Sequence, residues 1–227
     1  MGKFFIPTNT AEDWKLLLAK PDEQWKDSYS AKALAYCWQE ANDFPESVKK
    51  VFRASGIELF QQLKFLVAFP EYEVALPGGR TAAHNDIFIL AKGEDQIVSI
   101  MVEGKGSEPF GKTVAEWKSE SSPGKVMRLS FLCSELQLEP EQIDPIRYQL
   151  LHRTACAIIE AKKFNAQNAL MLVHSFSPTN ESFDDYSGFL ELFGAQAEVD
   201  SITPAQNIDG IDLFFAWVAE GPTSEVK

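Results

Sequence analysis

The chain has 227 residues, of which 45% are hydrophobic and 24% charged, which gives length and apolar content for one large soluble domain. Its formal net charge of −12 opposes non-specific binding to a phosphate backbone, so any nucleic-acid site must be a local basic patch or be helped by a bound cation. The three cysteines, Cys37, Cys133 and Cys156, lack CxxC spacing, and no apolar run approaches 18 residues or forms a signal-peptide core; free thiols, no membrane partner and a cytoplasmic location are expected.

Residues 10–20 open with Thr-Ala-Glu-Asp ahead of Trp14 and Leu16, the pattern of a short capped helix. Residues 30–40 set Leu34, Cys37 and Trp38 on one side of an amphipathic helix. Pro45 interrupts, and 46–66 reads as helix with a break at Ser55-Gly56. These helices are expected to pack on a sheet, with Glu40 or Glu58 as candidates for an extra carboxylate at the site. Residues 71–76 alternate as a strand, Pro77-Gly78-Gly79 turns, and an apolar hairpin spans 86–105.

The stretch 106–123 is polar and rich in Gly, Pro and Ser, a loop with a short helix near 113–118; Glu108, Lys112 and Lys118 are its candidate substrate contacts. Residues 125–136 read as short helix or irregular chain. The clearest helix is 145–164, with Asp144 as N-cap and Pro145 in first position. Gln149, His152 and Arg153 sit at i, i+3 and i+4 on it and share adjacent surface. Residues 168–176 form a nearly continuous apolar strand, as expected where both faces are covered. A helix at 182–193, a strand at 211–218 and a frayed tail at 221–227 complete the chain. The order predicts one α/β domain, 1–227, in which helical residues 1–66 pack on a mixed-sheet core of 67–220.

The hairpin carries the chemistry. Asp86 opens its first apolar run, and Glu103-Gly104-Lys105 closes its second. Charges at the ends of buried strands are costly unless paired or bound to a metal. With Gly93-Glu94 as a two-residue loop, Asp86 falls opposite Met101. Asp86, Glu103 and Lys105 then share a face, with the two carboxylates as diagonal neighbours roughly 7–8 Å apart. The bland alternative is a surface Glu103–Lys105 pair with Asp86 capping a turn.

Asn85-Asp86, then Glu103-Gly104-Lys105 after 16 intervening residues, on two strands of a meander followed by a crossover helix, resembles the PD-(D/E)XK nuclease-like superfamily. The match spans about 71–176, and it departs from the family in having Asn85 where Pro is common. More narrowly, PGG, ND, VEGK, EPFG and RYQLLHRTA resemble a bacterial family with the same motif, which brings no function with it. The resemblance implies a restriction-endonuclease-like core, with a mixed central sheet flanked by helices and extra N-terminal helices. It also implies Mg²⁺ or Mn²⁺ held by Asp86, Glu103 and the Gly104 carbonyl. Lys105 would orient water or stabilise transition-state charge, and Gln149 would position the nucleophile. Glu108, Lys112, His152 and Arg153 would contact substrate. Nucleic acid is the implied substrate, DNA ahead of RNA, and a homodimer is compatible with it.

Two other readings use the same residues. His84-x-Asp86 with His174 has the donor types of a two-histidine, one-carboxylate iron site, although the helix at 145–164 interrupts the all-β architecture those sites use. The acidic surface also suits a non-catalytic protein-interaction module on a degenerate nuclease fold.

Overall fold

The computed structural model of the chain describes Phe4 and residues 8–27 and 29–220, so the expected frayed tail at 221–227 lies outside the described residues. A 3₁₀ helix (Ala11–Leu17) and four helices, α1 (Pro21–Gln24), α2 (Ser30–Ala41), α3 (Glu46–Ala54) and α4 (Glu58–Gln61), precede the sheet. Strands β1 (Lys64–Val74), β2 (Ala83–Gly93) and β3 (Gln96–Lys105) form the meander. Helices α5 (Val114–Lys118), α6 (Pro123–Leu136) and α7 (Tyr148–Lys163) follow. Then come β4 (Asn168–Ser175), α8 (Phe183–Glu191), β5 (Ser201–Ile208) and β6 (Ile211–Ala219).

The sheet has six strands in the order β1-β2-β3-β4-β6-β5. β3–β4 and β4–β6 are parallel and the other pairs antiparallel, so the sheet is mixed as expected. Each face carries its own core. Phe88 and Met101 point toward α7, where Leu150 and Leu151 meet Met171, Phe215 and Trp217. Ile87, Ile89 and Val102 point the other way, onto Trp38, Val51 and Phe52 of α2 and α3. This two-faced burial is why β4 is buried at every position and apolar throughout 169–173. Among the described residues, no helix is long and apolar enough to cross a membrane.

Several expected boundaries move, each for a physical reason. The strand expected at 71–76 begins at Lys64, because the run after Leu63 ladders onto β2 from Lys64↔Lys92 onward, ending the helical stretch early. The stretch 125–136 is a full helix: the Ser122 hydroxyl accepts from the Lys125 N–H, and Pro123 occupies the first turn. The helix expected from Pro145 begins at Tyr148. Residues 144–147 instead pair with 112–115 through Val114 N–H to Ile146 O and Tyr148 N–H to Lys112 O. Asp144 takes the Lys118 ammonium rather than capping. β5 was not expected at all; its sequence, SITPAQNI, carries Pro204 and a register shift, features an edge strand tolerates.

Candidate active site at the end of the central hairpin

The β2–β3 turn is Glu94-Asp95, both left-handed with φ of 49° and 67°, as a two-residue hairpin turn requires. It sits one residue later than the expected Gly93-Glu94. The register therefore shifts by two, side-chain parity is kept, and the shared face survives. The ladder runs from Gly93↔Gln96 to Ile87↔Val102. One further step sets Asp86 straight across from Glu103 rather than diagonal to it. On the other side of β2, the pairs Pro70↔Ile87 and Tyr72↔Asn85 leave Glu71 across from Asp86. Three adjacent strands thus place a carboxylate at one level, Glu71, Asp86 and Glu103, and all three line one cavity of about 500 Å³.

Glu71 is the residue that sequence reasoning missed. The strand was expected to begin with it, whereas it lies inside one, at a left-handed φ of 50°. The available signal was a carboxylate within the apolar run KFLVAFPEYEV. Holding a non-glycine residue there costs about 1–3 kcal/mol and requires support from its surroundings. Among the described residues the Glu71 side chain has no hydrogen bond or ion pair, and it carries the neighbouring Asp86 charge without a direct cation contact. Glu40 and Glu58, the carboxylates considered in its place, are exposed and do not line the cavity.

Glu103 and Lys105 are not a surface pair: their side chains are 3% and 4% exposed, with Oε1 and Nζ 2.8 Å apart. Helix α7 completes the network from positions i and i+4. Gln149 Nε2 donates to Glu103 Oε1 at 2.6 Å, and its Oε1 accepts from Lys105 Nζ at 3.0 Å. Arg153 Nε donates to Glu103 Oε2 at 2.5 Å, and its other arm reaches Asp86 Oδ1 at 3.5 Å. Lys105 also sits over the Phe110 ring, 4.8 Å from its centre. Gly104 donates its N–H to Asp86 Oδ2 at 2.8 Å. A side chain at Gly104 would stand 3.2 Å from the Ser30 Cβ and 3.3 Å from Leu34 Cδ2, so glycine is what lets α2 close on β3.

The electrostatics follow from this arrangement. Burial raises Asp86, the neighbouring Glu103 charge raises it further, and its carboxyl is pushed up to about 7. Burial and the Asp86 charge also raise Glu71 well above the usual carboxylate range. Burial works the same way on Glu103, but Arg153 and Lys105 outweigh it and hold that carboxyl low. His152 is pushed well down by burial and by Arg153, which keeps its ring neutral.

The remaining expected contacts divide. His152 lines the cavity with its ring centre 5.0 Å from that of Tyr148. Glu108 also lines it, but one oxygen is committed to the Ser30 N–H at the start of α2. Lys112 lies exposed at the rim, and Lys118 does not line the cavity. The iron-type grouping does not assemble. His84 lines the cavity and lies 3.3 Å from Glu73, whereas His174 is on the opposite face of the sheet, bonded to Trp38 and Glu220.

The oxygen donors that would be left for a hard divalent ion differ from those expected. Both oxygens of Glu103 are engaged by Lys105, Gln149 and Arg153. Glu71 and Asp86 are less engaged: burial and a neighbouring carboxylate raise both, although the Arg153 guanidinium reaches Asp86 at 3.5 Å. Oxygen donors in need of positive charge suit Mg²⁺ or Mn²⁺.

No curated protein matches the chain, and no solved structure matches it. Residues 7–222 match the model of the family described as a domain of unknown function, DUF6946, and the chain belongs to that family.

Proposed function

We propose that the protein is a metal-dependent hydrolase of phosphodiester bonds, built on a restriction-endonuclease-like core of the PD-(D/E)XK type. The observation that carries this reading is the Glu71–Asp86–Glu103 row with Lys105 beside it, at the floor of one cavity. Glu71 and Asp86 would hold the Mg²⁺ or Mn²⁺. The ion, when bound, supplies a Lewis acid for the phosphate and an acidified water. Lys105, fixed by Glu103, Gln149 and Phe110, offers a preoriented cation for charge developing on a phosphate oxygen. Arg153 locks the Glu103 carboxylate in the ionised form that keeps Lys105 in place. Among the described residues its buried Nη1 has no partner, and it would donate to a phosphate oxygen brought against it. The free thiols Cys37, Cys133 and Cys156 fit a reducing, cytoplasmic setting.

One observation favours a second reading. The Arg153 guanidinium already joins Glu103 and, at 3.5 Å, Asp86, the two carboxylates expected from the sequence to hold an ion. A protein whose guanidinium has replaced the ion would bind partners without hydrolysis. Hydrolysis assays on DNA, RNA and a chromogenic phosphodiester in Mg²⁺, Mn²⁺ and EDTA separate the two. Cleavage that needs the metal and disappears in both Glu103→Ala and Lys105→Ala supports the hydrolase. Absence of cleavage with absence of metal binding supports the interaction module.

A further inference from the structure

The cavity has features that fix the size of what it can process. Glu103 and Lys105 form its floor at 3% and 4% side-chain exposure, so a reacting phosphate has to descend to them. The walls come from parts of the chain distant in sequence. Leu18 and Tyr29 belong to the N-terminal helical region, Phe110 and Trp117 to the segment after β3, and Tyr148 to α7. Trp117 and Tyr148 are stacked, with centres 4.2 Å apart and planes within 9°, which makes the wall rigid and aromatic.

Its electrostatics are those of a chamber and not of a track. The cations lining the cavity are Lys105, Lys112 and Arg153. Two of these are buried on Glu103, which leaves Lys112 as the exposed cation among the described lining residues. Duplex binding requires several Lys or Arg contacts to successive phosphates, and the formal charge of −12 works against it. A duplex is also stiff over about 150 base pairs and cannot fold a backbone phosphate into a recess without costly deformation. A volume of about 500 Å³ is that of a small-molecule site.

From these observations we infer that the substrate is a small, free phosphodiester of one- or two-nucleotide size, not a nucleic-acid duplex. The inference rests on the hydrolase reading above and narrows its substrate. The phosphate group descends to Lys105 and to the unpartnered Arg153 Nη1, while the organic part lies against the Trp117–Tyr148 wall. In the reaction water adds to phosphorus, the bond to one ester oxygen breaks, and that oxygen leaves with a proton as an alcohol.

The test compares kcat/KM of the wild-type protein in Mn²⁺ on bis(4-nitrophenyl) phosphate, a linear dinucleotide and a long DNA duplex. The expected result is a preference of about 100-fold or more for the small diesters over internal duplex bonds. Trp117→Ala should raise KM for the dinucleotide with little change in kcat. Internal cleavage of the duplex at efficiency equal to the small diesters would overturn the size inference and leave the hydrolase reading standing. If no substrate is cleaved in any metal, both fall.

Discussion

Asp86 stands directly across the β2–β3 ladder from Glu103, one step beyond the Ile87–Val102 pair. Like charges directly opposed on a sheet destabilise it. The chain tolerates this pair because Arg153 and Lys105 neutralise Glu103, while Asp86 takes up a proton near neutral pH. Asp86 is therefore an acid through which pH acts on the site.

That relationship fixes a pH dependence. The folded Asp86 carboxyl titrates at about 7, against 3.8 as its ordinary value. Between these values the folded state binds more protons than the unfolded one, so this group makes stability fall as pH rises. Above about 7 the loss is complete. Asp86→Asn removes the dependence while its amide oxygen still accepts from the Gly104 N–H. Urea midpoints measured near pH 5 and near pH 8 should show a smaller decline in Asp86→Asn than in wild type. An equal decline in both would place the titration elsewhere.

Glu103 is the acid that two buried cations depend on. Removing it leaves Lys105 and Arg153 unpaired in the interior, and Glu103→Ala should cost about 3–5 kcal/mol. Gln149→Ala removes hydrogen bonds but no charge, and should cost about 1–2 kcal/mol. Chemical denaturation orders the two variants, and a Glu103→Ala protein as stable as wild type would contradict the network.

Gly104 sits where α2 meets β3. Ala at this position presses on the Ser30 Cβ at 3.2 Å and Leu34 Cδ2 at 3.3 Å, while Asp86 Oδ2 at 3.4 Å is in ordinary contact. The expected cost is about 1–3 kcal/mol, with Asp86 left in place and any Mn²⁺ binding little changed. Thermal unfolding and a Mn²⁺ titration of Gly104→Ala check the two parts separately.

The opposite face of the sheet carries a second polar group. Trp38 Nε1 donates to His174 Nδ1 at 3.0 Å, which leaves the proton on Nε2, 2.9 Å from Glu220 Oε2; the Ser47 hydroxyl donates to the same oxygen at 2.6 Å. The His174 bond, helped by Ser47, holds the Glu220 carboxyl below 4.5. A lowered acid contributes stability that is full above its ordinary value and is lost as pH falls through its lowered one. Glu220→Ala should cost about 1–3 kcal/mol near neutral pH and progressively less in acid. A cost that does not change with pH would show that the charge is not involved.

Much of this site was legible in the sequence, for reasons the residues make plain. Asp86, Glu103 and Lys105 could be placed on one face because strand parity survives a two-residue register shift, even with the turn assigned one residue early. Gln149 and Arg153 followed from helical spacing, although the helix starts at Tyr148 and not Pro145. Glu71 was hidden because local sequence does not reveal that β1 starts at Lys64, nor that a glutamate takes a left-handed conformation inside it. β5 was hidden because an edge strand carries few apolar residues and tolerates Pro204. The engagement of Glu103 by Arg153 depends on side-chain geometry that spacing does not encode.

The most direct test is a calorimetric titration of Mn²⁺ into the wild type, Glu71→Gln and Asp86→Asn near pH 8. A hydrolase site predicts one ion bound by the wild type and affinity lowered about tenfold or more in each variant, with both variants folded. Absence of binding to the wild type, or binding unchanged in both variants, would contradict a metal site at Glu71 and Asp86 and leave Arg153 as the cation of this pocket.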